Sequence, residues 1–431
     1  MKRLNKILLA TLAIAIFSCN DDFKNPVQDF KVVPGEADFS KYVSVGNSLT
    51  AGFTDNALFI SGQENSYPNI LASLMKPAGG GEFKLPLMAD QIGGFTNLNM
   101  AGKLELKIVN GSLLPVALPA QSPYESIAPA GPYNNVGIPG IKSFHFLIPG
   151  YASLNPYFGR IAETQTQTVL QYVAKQNPTF FTLWAGNNDV LSYAVSGGVG
   201  VDRTGDSNFA AYGSNNISDV TVVKNSLNAI LNELVVVKGA KGVIANIPSV
   251  TAVPYFTTVP AKPIAGLSTE IVGALTQGYA PYNQGLGQAR AAGLISDAEY
   301  QARLIRFTAG GVPNGAVMID KDLTDLSGLG LPSYRQTTDK DMIVFTASTI
   351  LPQGYGTQIP LEDKWVLSEK EVEKTEAAVV KYNAAIAELA NTYDLAFVDA
   401  YTEMSKYRLN QVFVITEIRT QLRLFRVEHS L

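Results

Sequence analysis

A single cysteine and two histidines in 431 residues leave this chain short of the side chains on which disulfide frameworks and most metal sites depend. One cysteine rules out an internal disulfide. No Cys/His cluster has metal-site spacing either, so neither a metal nor any other cofactor is expected. Charge is sparse: 16% of residues are charged, and a net charge of −4 without a basic run gives no electrostatic basis for binding nucleic acid. Internal repeats are absent, and after residue 19 no stretch reads as long and apolar enough for a transmembrane helix. What is plentiful is glycine (37) and proline (23) in a chain that is 46% hydrophobic, the composition of a folded protein with long loops. The roughly 390 residues beyond the N-terminal segments suffice for one elaborated domain.

Lys2, Arg3 and Lys6 form a basic start, followed by an apolar run from Ile7 to Phe17 of signal-peptide length. Ser18-Cys19 then places a small residue before the cysteine. This resembles a bacterial lipobox, which implies a signal peptide over 1–18 and lipidation of Cys19, holding the protein at the membrane. Asn20-Asp21-Asp22 resembles the acidic export tag of surface lipoproteins in one group of Gram-negative bacteria, so a lipid-anchored, outer-membrane, surface-exposed protein is expected. Residues 19–37, with Asn25-Pro26 and Pro34-Gly35 and little apolar periodicity, read as a tether.

Three later stretches carry chemistry. In Tyr42-Val43-Ser44-Val45-Gly46-Asn47-Ser48-Leu49, a short β-branched run enters a turn that leads into a helix. A serine there has its hydroxyl lifted clear of the sheet, with backbone N–H groups near whatever it attacks. In Asn134-Asn135-Val136-Gly137-Ile138-Pro139-Gly140, glycine lets the backbone approach a ligand closely. Phe180 to Ala185 has buried-strand length and ends in Gly186-Asn187-Asn188-Asp189, delivering a side-chain amide as a fixed donor.

Together these stretches resemble the SGNH, or GDSL-type, serine esterases and lipases. Gly46-Asn47-Ser48-Leu49 matches the first block with asparagine in place of aspartate, Gly140 best matches the second, and Gly186-Asn187-Asn188-Asp189 matches Gly-x-Asn-Asp in full. The resemblance implies Ser48 as nucleophile and an oxyanion hole from the Ser48 N–H, the Gly140 N–H and the Asn188 side chain. It also implies a three-layer α/β/α sandwich around a mostly parallel five-stranded sheet, similar to flavodoxin.

The family's fourth block, Asp-x-x-His, supplies the general base and is missing. Lys142 and Arg426 stand three residues before His145 and His429, where aspartate is required. His145, between Phe144 and Phe146, reads as a partly buried imidazole, and nothing fixes His429 near the terminus. A serine without a base is a poor nucleophile. Residues 406–431 change character, holding Arg408, Arg419, Arg423 and Arg426 and no glycine or proline. Codon degeneracy over Ile418 to Leu431 permits a shifted frame reading Gly-Gly-Ala-Phe-Ser, which resembles what precedes the family's fourth block. The tail is therefore read as frameshifted, with the base lost.

Alternating strands (41–46, 179–185, 242–246, 395–399) and helices (160–175, 219–237, Ser368 to about Tyr393) indicate a parallel sheet. Ser368 and Glu371 form a capping box, and Glu369, Glu371 and Glu373 read as a solvated first turn. The hydrolase-like domain then spans 38–405, with insertions at about 77–133 and 250–365. Both insertions are expected at the carboxyl edge of the sheet as a cap over the substrate pocket, with Tyr151, Tyr157, Phe158, Tyr255 and Phe256 as pocket-wall candidates, most of them core. Two functions follow: an ester hydrolase acting on a lipid, acyl ester or acetylated glycan, or a non-catalytic surface lipoprotein binding glycan or lipid on the same fold.

Overall fold

The computed structural model describes residues 32–109 and 111–406; Cys19, the leader, His429 and the atypical tail lie outside the described residues. A five-stranded, wholly parallel sheet organises the molecule. Its strands are β1 (Tyr42–Gly46), β2 (Asn135–Gly137), β3 (Phe180–Trp184), β4 (Lys241–Ala245) and β5 (Ala396–Val398), in the spatial order β5-β4-β3-β1-β2. Four of these coincide with the expected strands to within a residue. The fifth, β2, has three residues and no periodicity of its own.

Helices cover the sheet by the alternation of its side chains. Val43 and Val45 of β1, Phe181 and Leu183 of β3 and Ile244 of β4 point to one face. There they pack against α3 (Val169–Ala174), α5 (Val220–Leu231) and α8 (Glu369–Thr392). Tyr42 and Phe180 point the other way, onto α2 (Tyr67–Met75), where Ala72, Leu71 and Met75 meet them. The result is an α/β protein with helices on both faces of a parallel sheet, consistent with a three-layer arrangement. Among the described residues the second face is covered incompletely. By register Ala396 and Val398 share it with Val243 and Ala245, yet all of β5 is exposed, Phe397 at 41% and Val398 at 46%.

Four local expectations are corrected. Residues 160–168 are not helical; α3 begins at Val169, where Thr168 and Gln171 form a reciprocal cap, and the Thr-Gln repeat before it adds no apolar stripe. The run Val220–Val237 is long and apolar enough, by length and composition, to cross a membrane. Yet Val223, Leu227, Ile230, Leu231 and Leu234 are buried against the sheet, which makes it a core helix. The capping box on α8 forms, but Glu371 is buried rather than solvated, with Lys321 Nζ at 2.6 Å from its carboxylate. The first insertion begins at the amino edge, where Gly81 donates to Phe39 and Asn134 to Lys84, before it reaches Leu58 and Phe95 beside the loop after β1.

Candidate functional site

Ser48 is the first residue of α1 (Ser48–Ala51), which starts directly off the carboxyl end of β1. Asn47 caps this helix by accepting the Leu49 N–H at 3.1 Å, while its own Nδ2 donates to Asn187 Oδ1 at 2.9 Å. The turn is compact because two residues beside it lack side chains. A Cβ on Gly46 would overlap Thr50 Oγ1 and the Trp184 carbonyl, and one on Gly137 would overlap the Ala51 nitrogen. Asn135 reinforces the contact, donating to the Thr50 carbonyl at 2.9 Å. Ser48 is half-buried, and its hydroxyl has no hydrogen-bond partner among the described residues.

The loop after β2 is pinned from three sides. Ile138 donates to the Gly46 carbonyl at 2.9 Å, extending the pairing of β1 and β2 past the strand end. Asn155 Nδ2 donates to the Pro139 carbonyl at 2.8 Å, and Asn188 Nδ2 donates to the Ile141 carbonyl at 2.8 Å. Between these anchors Gly140 sits at φ 81°, in the left-handed region that a glycine enters without cost. Asp189 completes the clamp, accepting the Ser143 N–H at 2.7 Å and the Ser143 hydroxyl at 2.9 Å. Burial pushes the Asp189 carboxyl above its usual range, opposed by the Ser143 donors and the charge of Lys142.

Among the described residues, neither the Ser48 N–H nor the Gly140 N–H meets an acceptor. An amide side chain carries two N–H bonds, and Ile141 engages one of those on Asn188. Ser48, Gly140 and Asn188 thus stand on three segments tied together by Ile138–Gly46, Asn47–Asn187 and Asn188–Ile141. No family model, curated protein or solved structure matches the chain.

The remaining candidates fall as follows. His145 Nδ1 accepts the Lys142 N–H at 3.1 Å, and its ring stacks on Tyr151 at 4.5 Å and meets Phe144 edge-on at 4.4 Å. Burial, aided by the Lys142 charge, pulls the imidazole down to about 4, so it is neutral and weakly basic at ordinary pH. The environment is that of a packed aromatic, as its flanking residues suggested. Tyr151, Phe158 and Phe256 are core residues. Tyr157 and Tyr255 are half-buried: Tyr157 meets Phe53, just after α1, at 6.5 Å, and the Tyr255 hydroxyl lies 3.2 Å from Thr346 Oγ1.

Sequence reasoning missed Asn155, which both braces Pro139 and caps the next helical turn through the Tyr157 and Phe158 N–H groups. Its signal was Asn155-Pro156, a helix start placed just after the Gly140 loop. Asp189 was visible as the last residue of a motif, but its task of holding Ser143 was not. At the far edge of the sheet, Asp399 accepts from Asn246 Nδ2 at 2.8 Å, and Asn246 in turn accepts the Trp184 indole N–H at 2.9 Å through its carbonyl.

Proposed function

We propose that this chain is a carboxylic-ester hydrolase of the SGNH, or GDSL, type, held at the cell envelope through lipid on Cys19. In this reading the Ser48 oxygen attacks the ester carbonyl and the negative charge develops on the carbonyl oxygen. The Ser48 N–H, the Gly140 N–H and the second N–H of Asn188 stabilise that charge. Collapse of the tetrahedral adduct expels the alcohol and leaves an acyl-enzyme, which water resolves to the acid. The serine proton passes to a general base and then to the departing alkoxide. The observation that carries the proposal is the hydrogen-bond circuit joining Asn47 to Asn187 and Asn188 to Ile141, which brings a partnerless serine hydroxyl and unengaged N–H donors onto adjoining strand ends.

The base is the weak point. His145, the one imidazole among the described residues, is stacked and held neutral. Loss of a triad member lowers the rate by roughly 10⁴- to 10⁶-fold. A fluorophosphonate probe tests the reading: labelling of the chain but not of Ser48→Ala supports an activated nucleophile. Absence of labelling favours the second reading, a surface lipoprotein that binds glycan or lipid without turning it over. The nucleotide sequence decides the frameshift: no alternative frame carrying Asp-x-x-His beyond codon 431 would end that idea.

A further inference from the structure

Residues Leu104–Val109 and Ser112–Ala117 form an antiparallel hairpin. It belongs to none of the hydrophobic clusters of the described residues. Its strands place Leu106 opposite Pro115 and Ile108 opposite Leu113, so these side chains share one face. That face is open: Leu106 is 58%, Ile108 77% and Leu113 62% exposed. An isolated two-stranded hairpin is marginal in water, and aliphatic side chains on its outer face add nothing to its stability there.

We propose that this hairpin is a lipid-docking finger that inserts its aliphatic face into a membrane surface. Three features select lipid over a protein partner. The open face is made by three aliphatic side chains, far fewer than the roughly 20–30 residues a side of a standard protein interface. The hairpin carries no aromatic or arginine residue, the side chains that anchor protein interfaces. Lysines stand along it instead: Lys103 at its root, over the Phe59 ring at 4.6 Å, and Lys107 on the first strand, 3.2 Å from Glu105. Ammonium groups at that position suit headgroup phosphates while the aliphatic face enters the acyl region. With Glu105 offsetting one lysine, insertion dominates and the preference for anionic lipid is modest.

The root connects the finger to the candidate site. Leu104 donates to the Asp55 carbonyl at 2.7 Å, in the loop that follows α1, and the second strand touches residues 345–349 of the other insertion. The root of the finger, not its exposed face, therefore adjoins the loop that follows the Ser48 helix. Docking itself does not depend on the hydrolase reading, because no step of it uses the serine.

The test uses the full chain carrying Cys19→Ser, so that no acyl anchor contributes, and vesicles of phosphatidylcholine with and without phosphatidylserine. The protein should pellet with both, somewhat more with the anionic mixture. Leu106→Ser/Ile108→Ser/Leu113→Ser should lower the bound fraction about tenfold with an unchanged melting curve, and Ser48→Ala should bind like the parent. Since Cys19→Ser leaves no thiol, Ile108→Cys labelled with an environment-sensitive fluorophore gives a second readout: a blue shift on adding vesicles is expected. No pelleting, equal pelleting of the triple variant, or an unshifted fluorophore would overturn the proposal. So would a parent dimer that the triple variant disperses, which would assign the face to a second copy of the chain.

Discussion

Asp189 is buried completely, and its carboxylate is met by the Ser143 N–H and hydroxyl. Replacing it with alanine leaves those donors unpaired and releases the loop that carries Gly140. We expect Asp189→Ala to cost about 2–3 kcal/mol of stability in urea unfolding and to reduce probe labelling at Ser48 in the protein that remains folded. His145 offers a test by pH. Folded, it protonates near 4, against 6.5 when exposed. Between those values only the unfolded chain takes the proton, so the His145 contribution is complete above pH 6.5 and fades as pH falls toward 4. Asp189, shifted upward, contributes with the opposite sign, so the comparison belongs between parent and His145→Gln: the parent should lose more stability than the variant from pH 6.5 to 4. At this scale the sequence was legible where contiguous residues build one turn off a buried strand, as in Gly186-Asn187-Asn188-Asp189. It was opaque where a residue acts across the fold. Asn155 reaches back to Pro139 through space, and nothing local announces the bond.

Elements were legible in proportion to their length and apolar content. The strands at 42–46 and 180–184 are β-branched or aromatic runs buried on both faces, and α8 carries its own start signal in Ser368 and Glu371. By contrast β2 is three residues long and held by its pairing with β1, so only tertiary structure makes it a strand. Glu371 shows the same override in reverse: an acidic first turn reads as solvated, yet Lys321 and the loop at Gly198 close over it. The joint between β1, α1 and β2 is the least forgiving element. Gly137→Ala drives a methyl into the α1 backbone, and we expect a loss of several kcal/mol, seen as an unfolding midpoint far below that of a control such as Gly311→Ala, whose surroundings are open and whose φ is not in the left-handed region.

At the scale of the whole molecule, β5 leaves apolar side chains and a sheet edge uncovered among the described residues. Exposed edges with apolar neighbours invite pairing between chains. Concentration-dependent association of residues 32–406 is expected in light scattering, and Val398→Lys should reduce it. The order of the strands was not legible, because class follows from alternation whereas neighbours follow from crossovers. The second insertion has a different character. Ile264 and Asn314 exchange backbone hydrogen bonds, closing the root of an excursion that contains α6 (Thr269–Ala291) and the helix Asp297–Arg303. Tyr282, Leu286 and Ile305 of this excursion form a small core with Val317, Leu326 and Leu331, which follow it in the chain. A segment that leaves and rejoins the chain at one closed doorway is a cassette. Evolution can lengthen, trim or exchange it while the platform that carries Ser48 stays intact, so diversity among cousins of this protein should concentrate behind that doorway, and a foreign helical pair grafted there with partners for Val317, Leu326 and Leu331 should leave the parallel sheet folded.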